Sequence, residues 1–113
     1  MRKLSSTNLE NEIQLEFDCP FMLTLRFIGK RWKPAVLWKI REGHHRFHAL
    51  KKELPRISDK MLSQSLNEME ADGILHKEIY QEVPLRVEYS ISDFGKSLFP
   101  VLEQMNQWGN QYL

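Results

Sequence analysis

One cysteine, Cys19, stands in the 113-residue chain, too few for an internal disulfide framework, and that scarcity favours a reducing, cytoplasmic setting. No apolar run approaches the ~18 residues of a membrane span. The opening MRKLSSTNLENEI lacks the apolar stretch and the small-residue cleavage site of a secretory signal. Repeats, low-complexity tracts and dividing linkers are also missing. So are a phosphate loop, a paired-carboxylate setting and a nucleophile–base pattern, which argues against an enzyme. What remains is 42% hydrophobic and 27% charged, the make-up of one folded soluble domain. Residues 19–113 are expected to form it, with 1–18 as an N-terminal arm.

The net charge is only +1, but it is unevenly distributed. From Arg26 to Lys60 eleven bases face three acids, Glu42, Glu53 and Asp59, a local excess of +8. Glu10, Glu12, Glu16 and Asp18 precede that region with no intervening base. The asymmetry suits a surface for a polyanion. On charge alone a set of solvated helix faces explains it as well.

Periodicity and punctuation divide the domain. Pro20 to about Gly29 is expected to be helical, with Phe21, Leu25 and Ile28 on one face. A second helix spans Pro34 to Glu42, places Val36, Leu37 and Ile40 inward and stops at Gly43. A third runs from Phe47 to Leu54 and ends at Pro55. The fourth, SDKMLSQSLNEMEADG, has Ser58 as N-cap and Asp59 at the positive end of its dipole. Leu62, Leu66 and Met69 form its inward stripe, and Lys60, Ser63, Gln64 and Asn67 its polar face. A short helix, the turn PRIS and such a helix have the shape of a helix-turn-helix. Two strands follow, Ile74 to Tyr80 and Val87 to Ile91, joined by QEVPLR, with two further strand residues expected at Arg46–Phe47. A last helix is expected from Ser92 to the C-terminus. Its seam of Phe94, Leu98, Val101, Met105, Trp108 and Tyr112 has heptad spacing, widened by Phe99 and Leu102, and is read as a subunit interface. Pro100 and Gly109 make a bend plausible in it.

These blocks in this order resemble the HxlR family of bacterial winged-helix transcriptional regulators, relatives of the MarR type. The matching pieces are CP at 19–20, IGKRWK at 28–33, RFHALKKELPRIS at 46–58, KMLSQSLNEMEADGIL at 60–75 and VPLRVEYSISDFG at 83–95. Lys30, His48 and Arg56 depart from the family pattern without threatening the fold. The resemblance implies an α+β, mainly helical chain: a winged helix-turn-helix with a β-hairpin wing and a C-terminal dimerisation helix. It also implies double-stranded DNA carrying an inverted repeat as partner, a homodimer as the working form, and a small-molecule or oxidant effector. No cofactor and no membrane enter that picture.

Under this resemblance Ser58 to Asp72 enters the major groove, where Lys60, Ser63, Gln64 and Asn67 face the bases. Arg46, Lys51, Lys52 and Arg56 fit phosphate contacts, which position without reading sequence. Arg86 is placed at a narrow minor groove, with Lys77 and Gln81 on the flanking backbone. The competing reading pairs Arg86 with Glu88 or Glu82 and leaves it to steady the hairpin. Cys19 falls at the start of a helix, where a dipole acts on a thiol, beside the opposing carboxylates of Glu16 and Asp18. The family includes thiol-based sensors with a cysteine here, and a small packing residue is the equal alternative. His44, His45 and His48 lack the further ligands that zinc needs and read as a solvated loop. The rival function is a winged-helix protein–protein module that does not read DNA sequence.

Overall fold

The computed structural model describes residues 19–113; the expected arm, with its acidic residues, lies outside the described residues. The element order is α1 (Pro20–Ile28), α2 (Lys33–Arg41), α3 (Phe47–Glu53), α4 (Asp59–Ala71), β1 (Leu75–Tyr80), β2 (Arg86–Ile91), α5 (Asp93–Lys96) and α6 (Phe99–Asn110). Val36, Leu37 and Ile40 of α2 meet Leu50, Ile57, Leu62, Leu66 and Met69 in one core, completed by Ile74, Leu75, Tyr89, Leu98, Phe99 and Leu102. Each fully buried aliphatic side chain contributes roughly 1.5–3 kcal/mol. The inward stripes read from the sequence are therefore what bring α2, α3 and α4 together.

Two of these helices end on the same device. At the end of α2, Gly43 N–H donates to Ile40 O and His44 N–H to Lys39 O. At the end of α4, Gly73 N–H donates to Glu70 O and Ile74 N–H to Met69 O. This paired closure requires a left-handed residue, which glycine supplies without Cβ strain; φ is +109° at Gly43 and +80° at Gly73. The second closure drops Ile74 straight into the core and launches β1, so α4 and the hairpin are rigidly joined.

The hairpin is antiparallel, in register from Leu75 opposite Ile91 to Tyr80 opposite Arg86. Its base is buried through Leu75 and Tyr89, whereas Ile79, Val83 and Leu85 stand exposed toward the tip. Ser92 Oγ donates to the carbonyl oxygens of Gly73 and Ile74 and accepts from Gly95 N–H at 3.0 Å. A Cβ on Gly95 would lie 2.4 Å from Ile74 O, so only glycine allows α5 to close on the strand.

Two expectations are corrected. Arg46–Phe47 add no strand: Arg46 caps α3 and Phe47 begins it. The third-strand contact falls one residue earlier. Tyr89 N–H donates to His45 O at 2.8 Å, and His45 Nδ1 lies 3.1 Å from Tyr89 O, so Nδ1 carries the proton. The terminal helix is not continuous either, but breaks between α5 and α6 at Ser97–Leu98. Pro100 lies in the first turn of α6; its ring clashes with the carbonyl four residues back, at Lys96, and it has no N–H to donate.

That break splits the expected seam. Leu98 is 8% exposed and belongs to the core with Phe99 and Leu102. Phe94 meets Phe27 edge-on, with ring centroids 5.2 Å apart. Val101, Met105, Trp108 and Tyr112 remain outward, the last three exposed by 51%, 65% and 72%. On α1, Ile28 is buried but Phe21, Met22 and Leu25 are also exposed.

Candidate nucleic-acid interface

The turn between α3 and α4 is set from below. Ile57 is buried, and Ile57 N–H donates to Leu54 O at 3.2 Å. Lys51 Nζ donates to Ile57 O and lies 3.9 Å from Asp59 Oδ1. Lys51 thus clamps the turn and is less free for a phosphate than the sequence suggests. Ser58 Oγ accepts from Met61 N–H at 3.1 Å, which fixes the first turn of α4 and satisfies one of its open donors.

Leu62, Leu66 and Met69 are buried, so α4 cannot rotate about its axis without exposing them. Lys60, Ser63, Gln64 and Asn67 therefore share the exposed side. Lys52, Arg56 and Lys60 are exposed and make no ion pair among the described residues. Gln64 is engaged: its Nε2 donates to Glu68 Oε2 at 3.0 Å. Glu68 Oε1 in turn lies 2.9 Å from Lys33 Nζ. The bond from the Lys33 ammonium, opposed by burial and aided by Gln64, holds the Glu68 carboxyl below its ordinary range.

On the wing, Lys77 and Gln81 are exposed. Arg86 is not. Its guanidinium bonds Glu82 Oε2 at 2.8 Å and Glu88 Oε2 at 2.9 Å, and sits 3.8 Å over the Tyr80 ring. Its Nε is buried with no hydrogen-bond partner among the described residues. Arg46 reaches the same Glu88 oxygen at 3.3 Å. In the free protein, then, the hairpin-steadying arrangement of Arg86 is the one present, and the Glu88 carboxylate is shared by two bases read from the sequence as DNA contacts.

The buried Lys33 and its partner Glu68 were missed by sequence reasoning, whereas the sequence already offers Glu82 and Glu88 as alternative partners of Arg86. The spacing of Gln64 and Glu68 at i, i+4 and of Arg86 and Glu88 at i, i+2 on one strand was a usable signal. Elsewhere, Cys19 is half-buried at the start of α1 and its side chain makes no capping hydrogen bond. No three His, Cys, Asp or Glu side chains among the described residues could share a metal ion. No described helix is long and apolar enough to cross a membrane.

A helix-turn-helix followed by a two-stranded wing defines the class of winged-helix proteins. The HxlR-like helix-turn-helix family profile matches residues 27–113, and the chain belongs to that family of transcriptional regulators. It is 43% identical over 94 residues to the uncharacterised HTH-type transcriptional regulator YdeP of Bacillus subtilis, covering 83% of this chain and 73% of that protein. It is 42% identical over 97 residues to the uncharacterised HTH-type regulator YkvN of the same organism, covering 86% and 82%. The redox regulator HypR in its oxidised form superposes with a TM-score of 0.78 at 42% identity, over 82% of this chain and 96% of that one. Reduced YodB from B. subtilis gives 0.71 at 32% identity, over 83% and 93%.

Proposed function

We propose that the protein is a homodimeric regulator that binds operator DNA sequence-specifically through its 19–113 domain. Each subunit places the exposed side of α4 in the major groove, where Lys60, Ser63, Gln64 and Asn67 meet base edges. Lys52 and Arg56 contact phosphates beside it, and Lys77 and Gln81 do so on the wing. Arg46 and Arg86 join them by exchanging Glu88 and Glu82 for phosphate oxygens. Two-fold symmetry then demands an inverted repeat with half-sites about one helical turn, or a multiple, apart.

The observation that carries this reading is the locked rotation of α4: three buried apolar residues on one side, and three exposed hydrogen-bonding residues beside a lysine on the other. The apolar surface of Val101, Met105, Trp108 and Tyr112 supports the dimer, because a contiguous patch of that kind marks an interface. Phe21, Met22 and Leu25 of α1 are exposed apolar side chains as well. Membrane attachment plays no part, and the working compartment is the cytoplasm.

Gel retardation with the region upstream of the protein's own gene, against scrambled DNA of equal length, tests the proposal. Selective retardation is expected; equal retardation of both DNAs would refute sequence reading. We further propose an oxidant or small molecule as effector, with Cys19 as candidate sensor, on the strength of redox-regulator neighbours at 42% and 32% identity. Diamide should then change retardation by the wild type and leave Cys19→Ser unaffected. A Cys19→Ser protein that still responds removes the thiol from the mechanism.

A further inference from the structure

Lys33 stands at the start of α2, where a cation opposes the helix dipole, and it is 3% exposed. Both features are costly unless its ammonium is paired. The partners lie on another helix: Glu68 Oε1 at 2.9 Å and Asp72 Oδ2 at 4.0 Å, both on or capping α4. The two oxygens of Glu68 are thereby divided, Oε1 to Lys33 and Oε2 to the Gln64 amide at 3.0 Å. A buried, paired lysine keeps that carboxylate on the helix rather than in solvent.

We propose that Lys33 and Glu68 are positioning residues for base reading: they fix the orientation in which the Gln64 amide meets the DNA. The proposal rests on the reading of α4 as the DNA-reading helix. A carboxylate only accepts, so Gln64 must turn its NH2 toward Glu68. One N–H is thereby committed, which leaves one N–H and the carbonyl oxygen for a base. That donor–acceptor pair matches adenine N7 and N6–H2. Guanine presents two acceptors, O6 and N7, and wants two donors, so the committed hydrogen selects against it. Lys33 also neutralises a carboxylate that would otherwise sit near the phosphates.

Selection of binding sites from randomised duplex DNA, with wild type and variants in parallel, tests this. Gln64→Ala locates the base that Gln64 reads, by losing preference there alone. Lys33→Met should lose about tenfold in adenine-over-guanine preference at that same position, within the range a bidentate contact supplies. The other positions should not change, and Lys33→Arg should restore the preference. Glu68→Gln gives a sharper readout. Its carbonyl is taken by Lys33, its NH2 faces Gln64, and Gln64 must answer with its own carbonyl. Two N–H donors then point outward, so preference should move from adenine toward guanine.

If Gln64→Ala changes one position but Lys33→Met and Glu68→Gln leave that position untouched, the positioning role is overturned and the DNA reading stands. If Lys33→Met does not fold, Glu68→Gln alone decides, since its acid is partly exposed and its shape is kept. A wild type without any base preference overturns the underlying reading and this one together.

Discussion

Glu68 connects stability to recognition at the scale of single residues. Its carboxyl titrates below the ordinary value of 4.5 in the folded protein, chiefly because Lys33 bonds it. The unfolded chain therefore binds the proton more readily, and stability falls as pH falls through the folded value. Thermal melts from about pH 6 down to about pH 3 should show a shallower loss for Glu68→Gln than for wild type; parallel curves would mean the pair contributes nothing to the linkage. Glu88 bonds both Arg46 and Arg86, which on the proposed reading would otherwise meet DNA. Glu88→Gln should tighten binding by about twofold to fivefold in low salt by freeing Arg46, while Arg86 stays on Glu82. Weaker binding by that variant would show the ion pairs to be an aid to DNA contact.

At the scale of elements, much of the fold was legible in the sequence. The i, i+4, i+7 stripe of α4, the inward Val36, Leu37 and Ile40 of α2, the Ser58 cap and the stops at Gly43 and Gly73 are local signals, and the structure agrees with each. Contacts between distant segments were not legible. His45 reaches Tyr89, Lys33 reaches Glu68 and Arg46 reaches Glu88, and no periodicity shows which acid a base will meet. The break before α6 was half legible: Pro100 signalled a bend, but the burial of Leu98 decided where the seam divides. Gly95 also carried its reason elsewhere, in the Ile74 carbonyl it must clear. Gly95→Ala should cost about 1–3 kcal/mol by overpacking, read as a lower denaturant midpoint with an unchanged slope. An unshifted midpoint would mean that α5 moves aside freely.

At the scale of the whole molecule, a small domain leaves Phe21, Met22, Val101, Met105, Trp108 and Tyr112 outside its core. In the proposed dimer a second copy covers the Val101, Met105, Trp108 and Tyr112 face, and the two-fold axis relates two α4 helices as an inverted repeat requires. Met105→Asp should give a folded monomer in analytical ultracentrifugation and lose most DNA affinity, since each subunit then binds one half-site alone. A dimer that survives this change would place the interface elsewhere. The charge asymmetry read from the sequence also takes a new form at this scale. Lys33, Arg41 and Arg46 are paired with acids from outside residues 26–60, so the apparent excess of +8 overstates what faces outward. Lys30, Arg31, Lys52, Arg56 and Lys60 of that stretch, and Lys77 on the wing, are exposed and make no ion pair among the described residues.

The slope of log K against log salt on operator DNA tests the central claim most directly. With Lys52, Arg56 and Lys77 of each subunit contacting phosphates, affinity should fall by about a thousandfold between roughly 50 and 200 mM salt, and Lys52→Ala should flatten the slope by about one contact per subunit. A slope near zero, unchanged by Lys52→Ala, would contradict the assignment of this surface to DNA.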